Sequence, residues 1–277
     1  MDSDGRNAII ISASSDIGAA MSLRWMSRGW SVYGTYRTEA TLVNTLRSRG
    51  VKLVRCDLAD RNSIINACSR LAGESPEWDV LVIAPATQDP VGPFLELDFD
   101  QWEDSILVNF TAQMRIIHSL IPTRRQNSEL EPCVLLFAGG GTNNAPVNYS
   151  GYIISKIAQI KMCELLDAEI PSVRFVIVGP GWVKTKIHES TLIAGSRLSG
   201  DNYQRTMEML HGDKLTSMDE VLDCCDWLIK SPREQISGRN FSVVYDSWGS
   251  QELSSQLEWD ADMYKLRRSG NDWKIGS

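Results

Sequence analysis

Tyr152 and Lys156 stand four residues apart in the segment YSGYIISKIAQ, residues 149–159. On a helix that spacing puts both side chains on one face. A cation near a phenol favours the phenolate, and such a tyrosine can give or take a proton on a carbonyl/alcohol pair near neutral pH. Tyrosine–lysine pairs at this spacing are also common surface contacts. This one gains weight from position, because it opens a helix-like stretch far downstream of the turn ISASSDIG, residues 11–18. At such a strand-to-helix turn, backbone N–H groups and the helix N-terminus can approach a pyrophosphate. Ser12, Ser14, Asp16, Ile17 and Gly18 are the candidate lining. Only Gly18 remains of the three glycines usual there; Ser12 and Asp16 fill the other places. The alternative is a polar turn with an N-cap. Arg37 follows the second strand-like run, where a basic residue can pair with the 2′-phosphate of NADP(H) and an acidic one would favour NAD(H); it can equally cap a surface turn. Asp57 and Leu58 follow the third run, where a side chain can meet an adenine edge or cap the next turn.

The elements that must position these residues alternate along the chain. Apolar strand-like runs fall at residues 7–12, 31–36, 51–55, 79–84, 133–138, 173–178 and 240–245. Helical patterns fall between them at 17–28, 39–48, 62–72, 100–120, 150–169 and 218–229, with a Pro/Gly-rich loop at 85–93 and a polar segment at 184–212. Strands buried on both faces and separated by helices specify an α/β architecture, a doubly wound parallel sheet with right-handed crossovers. No repeat or linker divides the chain. Residues 1–246 read as one domain and 247–277 as an ordered C-terminal extension carrying Trp248, Trp259, Trp273 and the basic run KLRR, residues 265–268.

Composition narrows the function classes. The 277 residues carry 28 Lys+Arg against 35 Asp+Glu, a net charge of −7, with a pI near 5.1 and a mean hydropathy of −0.20. This balance argues against a general nucleic-acid or anionic-membrane binder. No apolar run approaches the roughly 20 residues of a membrane span, and the N-terminus lacks a signal-like pattern. Six scattered cysteines without a C-x-x-C pair read as reduced thiols of a cytoplasmic protein. The three histidines lack metal-ligand spacing, so no metal is expected.

Taken together, the ISASSDIG turn, Asp57, the run DVLVIA (79–84), VNFTA (108–112), Tyr152-x-x-x-Lys156 and GPGWVKT (179–185) resemble the short-chain dehydrogenase/reductase family over about residues 7–245, as a divergent member. The resemblance implies a Rossmann-type, three-layer αβα single domain and an oxidoreductase using NADP(H), with NAD(H) as the other possibility. It implies that Tyr152 is the proton donor or acceptor. Lys156 would hold the nicotinamide ribose and depress the tyrosine pKa, and Asn109 would stabilise a helix kink and order a relay water. Pro180, Gly181, Val183 and Thr185 would border the nicotinamide, and Ala84 and Pro85 the adenine-ribose side.

Two departures stand out. Where the family has a serine to polarise the substrate carbonyl, this chain has Gly139. Thr142 is the nearest downstream hydroxyl, and backbone N–H groups of residues 139–141 are the alternative donors. The family's Asn-Asn-Ala-Gly after the fourth strand is replaced by Ile83-Ala84-Pro85-Ala86. The polar segment 184–212, with His188, Glu189, Arg197, Asp201, Asn202, Tyr203 and Arg205, suits a small hydroxylated or anionic substrate, with a sugar or sugar nucleotide as the guess. The long helices 100–120 and 150–169 are the expected contact of a homodimer or homotetramer. Two other readings stay open: a catalytically weak NAD(P)-binding regulatory or scaffold protein, and a sugar-nucleotide epimerase or dehydratase with tightly held NAD(P).

Overall fold

The computed structural model describes residues 5–212 and 215–269; Trp273 of the tail lies outside them. Seven strands form one wholly parallel sheet: β1 (Asn7–Ile11), β2 (Ser31–Tyr36), β3 (Lys52–Arg55), β4 (Val80–Ile83), β5 (Cys133–Phe137), β6 (Arg174–Gly179) and β7 (Arg239–Ser242). Their order is β3-β2-β1-β4-β5-β6-β7. The helices are α1 (Asp16–Ser27), α2 (Thr41–Ser48), α3 (Arg61–Glu74), α4 (Phe99–Ile106), α5 (Ala112–Leu120), α6 (Ser150–Glu169), α7 (Glu189–Ser199), α8 (Asp201–His211), α9 (Met218–Lys230), α10 (Arg233–Ile236) and α11 (Gln251–Trp259).

Alternation along each strand explains the layers. Ala8 and Ile10 of β1 join Val82, Leu135 and Val176 in one core with Trp25 of α1 and Leu228 of α9. Ile9 and Ile11 face the other way and join Leu81, Val134 and Phe175 against Ile64 of α3, Ile116 of α5 and Ile160 of α6. Both faces are therefore covered. The chain leaves β1 toward β2 and later returns to pair β4 on the other side of β1. Crossovers diverge at that point, and a crevice opens beyond the carboxyl ends of the strands.

Two expectations need correction. The single helix expected over 100–120 is interrupted by one π-helical turn, Leu107–Thr111, where the Ala112 N–H bonds back to the Leu107 carbonyl. The last strand ends at Ser242, because the Asp246 carboxylate accepts the Ser242 N–H at 2.7 Å and turns the chain outward. The polar segment 184–212, to which the sequence assigns no element, folds as a 3-10 turn, Lys186–His188, followed by α7 and α8. Gly195 (φ 68°) and Gly200 (φ 59°) supply the left-handed residues that break it.

The chain after Asp246 packs back on β7. Leu253 and Leu257 of α11 are buried in the core, and the Tyr264 ring meets Phe241 edge-on at 5.3 Å. The buried Arg239 guanidinium donates to the carbonyls of Leu257 (2.6 Å), Met263 (2.7 Å) and Asp260 (2.9 Å). Among the described residues no helix is long and apolar enough to cross a membrane, and no group of acidic, His and Cys side chains could hold a metal ion. Arg239→Met removes the donors that hold the tail. It is expected to lower stability by about 3 kcal/mol, read as an earlier denaturant midpoint.

Candidate active site

A cleft of about 1860 Å³ runs along the carboxyl ends of the strands. Of the residues expected to hold a nucleotide or do chemistry, all but Gly18 and Asn109 line it. Those two lie behind its wall. Gly18 is where strand and helix meet most tightly, since a Cβ there would stand 2.4 Å from the Ser12 carbonyl oxygen. Ser12 takes the left-handed conformation, φ 63°. Its N–H is held by Thr35 Oγ1 at 2.9 Å, and its carbonyl accepts the Ser15 N–H at 2.9 Å. Ser15 is the N-cap of α1, accepting from the Gly18 N–H. Asp16 begins the helix, where a carboxylate is favoured by the aligned peptide dipoles. Its Oδ2 accepts the Lys186 N–H at 2.8 Å, tying the start of α1 to the segment after β6.

At the outer end Arg37 is exposed on the cleft's rim and makes no ion pair among the described residues. The one acid in that turn, Glu39, is taken by both nitrogens of Arg47 at 2.8 and 2.9 Å. Arg47 in turn lies over the Tyr36 ring. Asp57 Oδ1 accepts the Ala59 N–H at 3.1 Å, so this side chain caps its turn as well as lining the cleft. Leu58, Ala84 and Pro85 complete this wall, and Ser14 and Ile17 its floor.

At the inner end, Gly151 lets the first turn of α6 close on Trp102 and Ser105, with 3.2 Å between a Cβ at 151 and the indole. That approach buries Tyr152 and Lys156. Lys156 is 1% exposed. Its ammonium donates to the Phe137 carbonyl at 2.8 Å and to Gln159 Oε1 at 3.0 Å, and lies 6.0 Å from the Tyr152 ring centroid. Burial brings Lys156 down to about 7 and pushes the Tyr152 phenol up to about 12. The expected lowering of the tyrosine by its lysine is not what this arrangement produces: the ammonium turns toward β5, and desolvation dominates both groups.

Asn109 sits fully buried in the π turn. Its Oδ1 accepts the Thr87 N–H (2.9 Å), and its Nδ2 donates to the Thr87 carbonyl (2.8 Å) and Ser105 Oγ (3.2 Å). The side chain thus pins the loop after β4 to the helix break. Gly139 is where the phenol points: a Cβ on it would lie 2.6 Å from Tyr152 Oη and 2.8 Å from Cζ. Thr142 lines the cleft, half-buried. Pro180, Gly181, Val183 and Thr185 form the wall after β6. Gly181 (φ 75°) is pressed there against Thr216 and Val244. Beyond them Trp182 stacks on His188 at 5.0 Å, and the Arg205 guanidinium covers the same indole at 5.5 Å. Thr191 of α7 is locked by the Tyr149 hydroxyl (2.8 Å) and Gln88 (3.1 Å). Gln113 and Gln159 were not singled out in the sequence, although each stands one helical turn from a candidate, Asn109 and Lys156.

The short chain dehydrogenase family model matches residues 6–193. A short chain dehydrogenase/reductase of Colletotrichum higginsianum is 25% identical over 158 residues, 55% of this chain and 59% of that one. That match therefore spans less than two thirds of the relative. A 3-oxoacyl-acyl-carrier-protein reductase of Buchnera aphidicola is 23% identical over 252 residues, 88% of this chain and 97% of that one. Among solved structures, an actinorhodin polyketide ketoreductase with NADPH superimposes with a TM-score of 0.73 at 20% identity, covering 87% of this chain and 96% of that one.

Gly139→Ser puts the serine side chain into the space of the Tyr152 phenol. The expected result is a loss of about 1–3 kcal/mol from overpacking, measured by denaturant unfolding, rather than a repaired site.

Proposed function

The chain belongs to the short-chain dehydrogenase/reductase family and is an oxidoreductase of that type, and from this premise we propose that it uses NADP(H) to interconvert a carbonyl and a secondary alcohol on a polar substrate. The observation that carries the reading is the buried Tyr152–Lys156 pair at the inner end of a cleft whose outer rim holds Arg37, which makes no ion pair among the described residues. The ketoreductase with a similar fold was solved with NADPH. The tight Gly18 turn and the size of the cleft fit a dinucleotide plus a small substrate.

When bound, the nicotinamide supplies or accepts the hydride. This chain's residues do the rest. The α1 N-terminus with Ser12, Ser14 and Ile17 would face the pyrophosphate, Arg37 a 2′-phosphate, and Asp57, Leu58, Ala84 and Pro85 the adenosine side. Pro180, Gly181, Val183 and Thr185 would border the nicotinamide. Tyr152 would give its phenolic proton to the carbonyl oxygen, or take the alcohol's proton in the reverse direction. Lys156 would offer its remaining N–H to a ribose hydroxyl. Asn109 would act at a distance by holding the loop after β4. Thr142 and the N–H groups of residues 139–141 are the candidate donors to the substrate carbonyl.

Asn202, Arg205, Thr206, His188 and Glu189 line the cleft, which supports a hydroxylated or anionic substrate such as a sugar or sugar nucleotide. Exposed Ile154 and Leu165 on α6 support assembly with a second copy, and six buried free thiols support a reducing, cytoplasmic setting. One observation favours a second reading, a nicotinamide-binding regulatory protein: Asp16 puts a carboxylate where a pyrophosphate would come.

Titration of the purified protein with NADPH and with NADH, following tryptophan and nicotinamide fluorescence, separates the readings. NADPH is expected to bind more tightly. Arg37→Asp should weaken NADPH at least about tenfold while leaving NADH nearly unchanged; equal losses would contradict the 2′-phosphate role. With a carbonyl that is turned over, Tyr152→Phe is expected to lower kcat by about a hundredfold or more at an unchanged cofactor Kd. Binding of neither nucleotide overturns the enzymatic reading.

A further inference from the structure

Behind Lys156 a line of buried amides crosses from α6 to the loop after β4. Gln159 and Gln113 are both fully buried. Lys156 Nζ donates to Gln159 Oε1 at 3.0 Å, and Gln159 Nε2 donates to Gln113 Oε1. Gln113 Nε2 then donates to the Pro85 carbonyl at 3.0 Å and the Val108 carbonyl at 3.1 Å. Each amide accepts on its oxygen and donates from its nitrogen, so the chain has one direction. It begins at the ammonium and ends on the cleft wall at Pro85 and on the π turn at Val108. Hydrogen bonds in series polarise one another in a low-dielectric interior, which makes Gln159 Oε1 a stronger acceptor than an isolated amide.

What faces Lys156 makes this chain matter. From β5 it meets the Phe137 carbonyl, and a Cβ on Gly139 beyond β5 would stand 3.0 Å from the lysine Cγ. On its own helix it meets Gln159 and the Tyr152 phenol, the titratable group that faces it. Among the described residues no carboxylate or second cation acts on its proton; burial is the cause that does. A buried ammonium without a counter-charge depends on neutral acceptors to stay charged.

We propose that Gln159 and Gln113 are positioning residues for Lys156, a directional amide chain that holds the ammonium in place, favours its charged form, and couples it to the Pro85 wall of the cleft. The catalytic part of Lys156 rests on the function proposed above, but the chain concerns the lysine itself and can be tested without cofactor or substrate.

The measurement is an NMR titration of the full-length protein carrying lysine labelled with carbon-13 at Cε, with the Lys156 signal assigned by its loss in Lys156→Met. In Gln159→Leu the titration midpoint of Lys156 should fall by about one pH unit or more, because an acceptor of the charged form is gone. In Gln159→Glu it should rise, because a carboxylate replaces a neutral acceptor. Gln113→Leu should move it in the same direction as Gln159→Leu, by less. A midpoint unchanged in Gln159→Leu and Gln159→Glu overturns the proposal. If Gln159→Leu does not fold, the near-isosteric Gln159→Glu decides alone: a raised midpoint supports the chain and an unchanged one overturns it. An unmoved midpoint in Gln113→Leu overturns the part given to Gln113. Failure to bind NADPH would leave this titration intact, so the two readings fail separately.

Discussion

A parallel sheet covered on both faces leaves polar chemistry a single outlet, the carboxyl ends of its strands. Here the covering is complete: every residue of β1, β4 and β5 is buried. The segments that leave those ends are the turn before α1, the end of β2, the loop after β4, the glycine run after β5 and the segment after β6, and all of them meet at the cleft. The divergence of crossovers on either side of β1 keeps them from closing over one another. The candidate site is thus built from these segments together with the first turns of α6, and the strands set where they start.

Burial that builds the site also sets its protonation. The same desolvation acts on Tyr152 and Lys156 in opposite directions, raising the phenol and lowering the amine. Both groups are pushed toward their neutral forms. The phenol therefore keeps its proton more firmly, and the lysine ammonium is disfavoured by burial. A carboxylate in contact with the lysine would fix the charge. Neutral acceptors, the Phe137 carbonyl and the Gln159 amide, leave it responsive to whatever enters the cleft.

The strands and the Tyr152–Lys156 helix were legible because their signals are local: apolar runs of strand length, and two polar side chains on one helical face. The π turn was not. A periodicity read over 100–120 averages across a single extra residue, and what inserts that residue is tertiary, the Asn109 side chain bonded to both backbone groups of Thr87. The segment 184–212 read only as a polar stretch, with no element assigned. It folds as helices with His188, Thr191 and Thr206 buried and Trp182 stacked on His188. Gln113 and Gln159 were invisible for a third reason. A glutamine on a helix face announces nothing until its partner, distant in sequence, is known.

The departures in the nucleotide turn are compatible with one another in physical terms. A serine in the left-handed region costs about 1–2 kcal/mol, and Ser12 is held there by backbone and Thr35 hydrogen bonds that a glycine would also make. Asp16 draws on the same helix-terminal field that a pyrophosphate would use, and spends one oxygen on the backbone of Lys186. A dinucleotide entering this cleft therefore meets a turn already partly satisfied by the protein's own carboxylate. Farther out on the rim, the Arg37 guanidinium makes no ion pair among the described residues. A second phosphate on the adenosine ribose is the feature that would engage it.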